Sequence, residues 1–320
     1  MPRFLILRFS SIGDIVLTSP VVRMLKTQVK DAEVHYATKA KFGPLLSSNP
    51  YIDKVFLLND KHGDLIKKLK RENYDYIIDL HHNLRTFIIK KALGKKSFSF
   101  NKLNFQKWLL VNFKINKLPQ AHIVDRYLET LKTFHVKNDG EGLDFFIPGQ
   151  DKISIQSLPQ PHHEGYVSIA IGAQHGTKKL PPEKIIEMIR TIKKPVVLLG
   201  DDKDKPAAEK ILSELNDKSV YNACGKFSLN QSASIIQNSL FVISHDTGLM
   251  HIASALKKKV VSVWGNTVPE FGMYPYGTEY LILENKNLNC RPCSKIGFEK
   301  CPKGHFKCMK EISFEKLKGT

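Results

Sequence analysis

Ile243-Ser244-His245-Asp246-Thr247-Gly248-Leu249-Met250-His251-Ile252-Ala253-Ser254-Ala255-Leu256 reads as a strand end, a tight turn and a helix in succession. The apolar run Phe241–Ser244 has strand length, and the turn hands the chain to an apolar helical stretch, Leu249–Leu256. Such a strand-to-helix step is the repeating unit of a parallel sheet covered by helices. In open sheets of this kind ligands gather beyond the carboxyl ends of the strands, where helix N-termini leave N–H groups without intrahelical partners. The N–H groups of Thr247, Gly248 and Leu249, with the Thr247 hydroxyl, are therefore candidate donors to a diphosphate. His251 lies one helical turn further on and is a second candidate at the same helix start. His245 and His251 flank Asp246, but this spacing makes no metal triad.

The same alternation runs outward in both directions. Strands are predicted near Phe4–Arg8, Glu33–Thr38, Lys54–Leu58, Tyr76–Leu80 and Ser97–Phe100, then near Tyr166–Ile171, Pro195–Leu199, Val220–Ala223, Phe241–Ser244, Val260–Trp264 and Tyr280–Leu283. Helical periods separate them, including Ile15–Thr27, Leu84–Leu93, Phe105–Phe113 and Glu183–Ile192. Between Asn138 and Gly165 the periodicity breaks in a stretch rich in Gly, Pro, Asp, Gln and His, which predicts an interdomain linker. The expected architecture is α/β: a Rossmann-like domain over residues 1–150 and a second over residues 151–305, followed by a C-terminal segment, 306–320.

Two further turns stand where ligands are expected. Arg8-Phe9-Ser10-Ser11-Ile12-Gly13-Asp14 follows the first strand; Gly13 lets backbone approach a ligand closely. Two roles stand open for Asp14, a helix-start carboxylate placed by the macrodipole or a general base that accepts a hydroxyl proton. One glycine in this turn is too few for the dinucleotide fingerprint G-x-G-x-x-G, which argues against a dehydrogenase. Gly172-Ala173-Gln174-His175-Gly176-Thr177-Lys178-Lys179-Leu180-Pro181-Pro182 precedes another helix. There Thr177 offers a hydrogen bond and Lys178 a full charge to phosphate oxygens, although the Walker order G-K-[ST] is absent.

Lysine and arginine number 49 against 31 acids, a net charge of +18, which favours an anionic partner: nucleic acid, a membrane surface or a phosphorylated glycolipid. The aromatics fall mostly inside predicted strands and helix faces rather than between bases along a groove, which argues against a noncatalytic nucleic-acid-binding protein. The apolar run at the N-terminus is shorter than a signal-peptide core, and no run approaches the ~20 residues of a membrane helix. A cytoplasmic protein is expected.

Together the three turns resemble glycosyltransferase family 9, the ADP-heptose:lipopolysaccharide heptosyltransferases of GT-B fold. The resemblance rests on Leu5-Ile6-Leu7-Arg8-Phe9-Ser10-Ser11-Ile12-Gly13-Asp14-Ile15-Val16, on Lys178-Lys179-Leu180-Pro181 and on Asp246-Thr247-Gly248-Leu249-Met250-His251, in order across nearly the whole chain. It implies two Rossmann-like domains facing a central cleft, the first binding the acceptor and the second the nucleotide-sugar donor, with the C-terminal segment returning to the first. It also implies an inverting transfer with no catalytic metal and no cofactor. The donor is then ADP-heptose, and the acceptor a lipopolysaccharide core precursor, an anionic glycolipid at the inner membrane surface where the enzyme is peripheral. Asp14 falls on the family's base, with Ser11 and Gly13 beside it on the acceptor side. Lys178 falls on the phosphate lysine, next to Thr177, and Asp246-Thr247-Gly248, Leu249 and His251 on the donor diphosphate and sugar site. Asp204 falls near the acid that contacts the donor ribose, with Asp201 and Asp202 as competitors. Arg85, after the strand ending near Leu80, is a candidate for an acceptor phosphate or a plain surface arginine. Leu180 departs from the pattern, since an aromatic residue often precedes this proline.

A transferase or epimerase acting on another nucleotide sugar is the competing reading, because backbone contacts to a diphosphate are blind to the sugar beyond it. Outside the three turns, Cys290, Cys293, Cys301 and Cys308 cluster around His305, which raises structural zinc against unpaired thiols, although a second CxxC is missing. Cys224 stands alone and is expected to be a small buried hydrophobe.

Overall fold

The computed structural model describes residues 1–59 and 61–318. Contacts divide the chain into two compact units, the first made of Met1–Lys102 and Ala121–Phe146, the second of Leu103–Gln120 and the described chain from Ile147 on.

Unit 1 holds five strands, β1 (Arg3–Leu7), β2 (Glu33–Lys39), β3 (Lys54–Leu58), β4 (Tyr76–Asp79) and β5 (Lys96–Ser99), all parallel in the order β3-β2-β1-β4-β5. Leu5 and Leu7 of β1 and Ile77 of β4 are fully buried and pack with Leu69 and Ile89 of covering helices. Edge strand β5 is largely exposed and begins with a lysine, a sequence that discourages pairing with another chain.

Unit 2 holds six, β6 (Val167–Ala170), β7 (Val196–Leu199), β8 (Val220–Asn222), β9 (Val242–His245), β10 (Val260–Trp264) and β11 (Tyr280–Glu284), in the order β11-β10-β9-β6-β7-β8 and again parallel. Every residue of β6, β7, β9 and β10 is buried, which is why these strands read as continuous apolar runs rather than alternating ones. In each sheet the first strand of the unit lies between its two successive directions of growth, β1 between β2 and β4, β6 between β7 and β9. These are topological switch points, where loops diverge to opposite faces and leave a crevice at the strand ends.

Three expectations need revision. The helix expected over Ile15–Thr27 is two, Ile12–Val16 and Ser19–Gln28, because Pro20 has no N–H to extend the first and fits the opening turn of the second. Residues 103–120 fall within the expected first domain but belong to unit 2, where Leu110 packs with Val268 and Phe271. The C-terminal segment, expected to return to the first half, packs into the core of unit 2, where Met309, Ile312, Phe314 and Leu317 are buried with Ile185 and Ile189. Its last residues, Gly319 and Thr320, lie outside the described residues. Among the described residues no helix is long and apolar enough to cross a membrane.

Candidate functional site

At the switch point of unit 1 the turn after β1 meets the turn after β4, joined by the Leu80 N–H donating to Leu7 O at 3.1 Å. Ser11 caps the Ile12–Val16 helix, and both its N–H and its hydroxyl donate to Asp14 Oδ2, at 3.1 and 2.8 Å. Arg8 Nη2 meets the other oxygen, Oδ1, at 2.7 Å. The Arg8 guanidinium is buried and is itself fixed by Ser10 O at 2.7 Å, Leu80 O and the Tyr127 hydroxyl at 3.1 Å. Asp14 is therefore a carboxylate aimed by an immobile cation, with a fifth of its side chain exposed. Gly13 is buried within the same short helix.

His81, in the turn after β4, lies within electrostatic reach of Arg8 and Asp14. Burial, reinforced by Arg8 and Lys102, pushes its imidazole down to about 4, so the ring is neutral near pH 7. It packs edge-on against Phe9 at 6.1 Å between centroids. The turn is held by Asp79, fully buried, whose Oδ1 accepts from the N–H groups of His81 and His82 and whose Oδ2 meets Lys90 at 2.8 Å. Arg85 stacks its guanidinium over Phe9 at 5.5 Å, and its Nε donates to His62 Nε2 at 2.6 Å. It thus borders the array through Phe9.

The switch point of unit 2 gathers the turns after β6, β9 and β10. Lys178 Nζ reaches Asp246 Oδ2 at 2.5 Å and the Asp246 carbonyl at 3.3 Å, and Thr267 Oγ1 donates to the same Oδ2 at 3.0 Å. Thr247 caps the Gly248–Ala255 helix in position only: its hydroxyl faces Ser244 Oγ at 3.1 Å and makes no side-chain cap bond. Asp246, Thr247, Gly248 and Leu249 are half-buried, so the helix start is accessible. Thr177 is buried and engaged, donating to Asn266 Oδ1 at 3.1 Å and accepting from the Phe298 N–H at 2.8 Å. His251, in the first turn of the same helix, is 2% exposed.

Asp204 is 5% exposed, with Oδ2 accepting from the Asp201 N–H at 3.0 Å and Oδ1 from Lys179 at 2.7 Å. Its carboxylate comes so near β6 that a Cβ on Gly172 would stand 2.2 Å from Oδ2, which explains glycine at that strand end. Of its competitors, Asp201 caps the turn through Lys203 N–H, and Asp202 is exposed and paired with Lys205. Leu180 is a core residue, and its N–H donates to His245 Nε2 at 2.9 Å. That bond leaves the His245 proton on Nδ1, and complete burial pushes the imidazole down to about 4.

The residues that the sequence did not single out hold this array from below. Arg291, 5% exposed as a side chain, donates Nε to Gly265 O at 2.6 Å, Nη2 to Thr267 O at 3.0 Å and to Glu284 Oε2 at 2.9 Å. With the Cys293 N–H donating to Asn266 O at 3.2 Å, it pins the turn after β10 that carries Asn266 and Thr267. The cysteine-rich segment is thus a buttress of the strand-end turns. Its thiols are all free; Cys308 lies in the core, where burial pushes it up to about 12, and Cys290 Sγ stands 3.9 Å from His305 Nε2. Among the described residues no three His, Cys, Asp or Glu side chains gather closely enough to hold a metal, so the arrangement does not fit the zinc expectation. Cys224 is buried as expected, and its burial pushes the thiol up to about 12.

Comparisons with known proteins bear on the family and the fold. The family model of glycosyltransferase family 9 (heptosyltransferase) matches residues 63–302, a span that includes the whole strand-end array of unit 2 but not Asp14. Lipopolysaccharide heptosyltransferase 1 of Campylobacter coli is 25% identical over 82% of this chain and 83% of its own length. The glycosyl transferase family 9 structure from Veillonella parvula superposes with a TM-score of 0.74 at 21% identity, covering 89% of this chain and 86% of that one. The ADP-heptose lps heptosyltransferase II structure of E. coli gives 0.70 at 19% identity, covering 97% of this chain and 98% of that one. The two parallel-sheet units are those of the GT-B fold. With three quarters of its residues matched by the family model and a pair of switch-point arrays on the expected turns, the chain belongs to glycosyltransferase family 9, the heptosyltransferases.

Proposed function

We propose that the chain is an inverting, metal-independent glycosyltransferase that moves heptose from ADP-heptose to a lipopolysaccharide core precursor. The observation that carries it is the division of charge between the two switch points: a carboxylate aimed by Arg8 in unit 1, cationic and N–H donors in unit 2. The donor diphosphate lies on the N–H groups of Gly248 and Leu249 beside Lys178, which stabilise charge growing on the departing ADP. Asp246 holds Lys178 and Thr267 in place, so its negative charge is offset before the donor arrives. Thr177 orders the loop, Asp204 with Lys179 shapes the ribose end, and His251 backs the helix start. Asp14 accepts the proton of the acceptor hydroxyl as the new glycosidic bond forms; Ser11 and Gly13 set its position, and the neutral His81 and Arg85 border the acceptor. ADP-heptose is supported by the name of the E. coli neighbour and the lipopolysaccharide acceptor by the Campylobacter relative. The acceptor is accordingly a glycolipid at the cytoplasmic face of the inner membrane.

A panel of nucleotide sugars assayed with membrane glycolipid acceptor, with and without chelator, tests the reading. Turnover of ADP-heptose that persists in chelator, giving a product of inverted anomeric configuration, supports it. Turnover confined to a UDP-hexose, or epimerisation of the donor without transfer, rejects it.

A further inference from the structure

Backbone N–H groups and a lysine hold a diphosphate in the same way whatever sugar follows it, so the sugar is read by another group. Two turns of unit 2 meet beside Lys178. A Cβ on Gly265, just after β10, would stand 2.8 Å from the Thr177 carbonyl oxygen, so glycine lets the turn after β10 lie against the turn after β6. Asn266 follows Gly265 and is 1% exposed. Its Oδ1 accepts from the Thr177 hydroxyl at 3.1 Å, while its Nδ2 is buried and meets no hydrogen-bond partner among the described residues.

A buried N–H left bare is costlier than an apolar side chain of the same size in its place, and folded proteins hold few of them. The amide is also held still. Its own carbonyl accepts from the Cys293 N–H at 3.2 Å, and Arg291 bonds the carbonyls on either side, those of Gly265 and Thr267. One residue on, Thr267 Oγ1 donates to Asp246 Oδ2 at 3.0 Å, the oxygen that Lys178 also meets. Asn266 is thus tied on one side to Thr177, the sequence neighbour of Lys178, and on the other to Thr267, which touches the anchor of that lysine.

We propose, resting on the donor placement given above, that Asn266 is a specificity-determining residue of the donor site, its amide donating to a hydroxyl of the transferred sugar next to the diphosphate. A neutral amide suits a hydroxyl better than a phosphate. The phosphates have a full charge in Lys178 and the N–H groups of the helix start, whereas a hydroxyl both donates and accepts and pairs with a fixed neutral group. A sugar without that hydroxyl leaves the N–H bare, so the site rejects it through the bond that goes unmade.

Calorimetry without acceptor separates the sugar from the nucleotide. ADP and ADP-heptose are titrated into the full-length protein and into Asn266→Leu, which keeps the side-chain volume and loses the amide. Asn266→Ser, smaller and polar, serves where leucine prevents folding. Expected is a loss of about three- to tenfold in affinity for ADP-heptose with the affinity for ADP unchanged. Analogues of ADP-heptose that each lack one hydroxyl complete the cycle: one of them binds the parent more weakly by a similar factor and loses nothing further in the variant. Equal losses for ADP and ADP-heptose make Asn266 a prop of the turn and overturn the proposal. So do variants that bind both ligands like the parent, or a variant whose loss adds in full to that of every analogue. Binding of UDP and a UDP-hexose in place of the adenine nucleotides rejects the donor assignment alone, and the same comparison made with that pair then decides the role of Asn266.

Discussion

Replacing Arg291 by methionine removes the cation on which the turn after β10 hangs. Its guanidinium donates to the carbonyls of Gly265, Asn285 and Thr267 and to Glu284, whose side chain is 7% exposed. Taking one partner from a buried ion pair costs about 3 to 5 kcal/mol, because the remaining charge stays desolvated. Lys286, 3.4 Å from the other Glu284 oxygen but mostly exposed, screens part of that charge and places the expected loss near the lower limit, about 3 kcal/mol. That is a large share of the ~5 to 15 kcal/mol by which domains are stable. Urea unfolding followed through Trp264, whose own carbonyl lies 3.4 Å from Arg291 Nη2, in a Trp108→Phe background, measures the loss. Adding Glu284→Leu to Arg291→Met removes the stranded carboxylate and recovers at least about 2 kcal/mol, since an apolar pair of similar volume often equals a buried ion pair. A single variant within 1 kcal/mol of the parent, or a double variant less stable than the single, refutes the reasoning.

Other substitutions test the arrays directly. Asp14→Asn cannot take a proton, and its single amide oxygen cannot accept from both Arg8 and Ser11; kcat falls about 10² to 10⁴-fold in protein that still unfolds cooperatively, though at a lower midpoint because Arg8 loses its counter-charge, and a full rate removes Asp14 from the chemistry. Lys178→Ala leaves Asp246 without its cation; kcat/KM for the donor falls at least about tenfold, more for the diphosphate donor than for the acceptor, and equal effects on both argue for a merely structural lysine. His245 is depressed from 6.5 in the unfolded chain to about 4 in the folded one, so the unfolded state binds the extra proton between those values. Stability is then full above about pH 6.5 and falls by ~3 kcal/mol on acidification toward pH 4. In His245→Gln that part of the pH dependence is absent, and an unchanged urea-midpoint profile contradicts the assignment.

The strands were readable because buried parallel strands are continuous apolar runs: Val260–Trp264 is the same segment in sequence and structure. The turns were readable because glycine and a polar residue must follow such runs where backbone meets a helix start, as at Thr247-Gly248. What escaped depends on adjacency that no local pattern encodes. His81 stands near Asp14 only because β4 pairs with β1, and Thr267 reaches Asp246 only because β10 pairs with β9. Arg291 drew no notice between two cysteines, since most of its acceptors are main-chain carbonyls, which sequence does not distinguish. The Asn104–Phe113 helix had the right length and period, but its partners Val268 and Phe271 lie more than a hundred residues away.

That helix also governs how the gene can be cut. Because the chain leaves the first unit at Lys102, re-enters at Ala121 and leaves again after Phe146, neither unit is one contiguous reading frame. A fragment ending at Phe146 would carry Leu110 with nothing to cover it, and the complementary fragment would bare Val268 and Phe271. An expressible second half needs residues 103–120 fused ahead of Ile147, and an expressible first half needs a short spacer in their place, from Lys102 to Ala121.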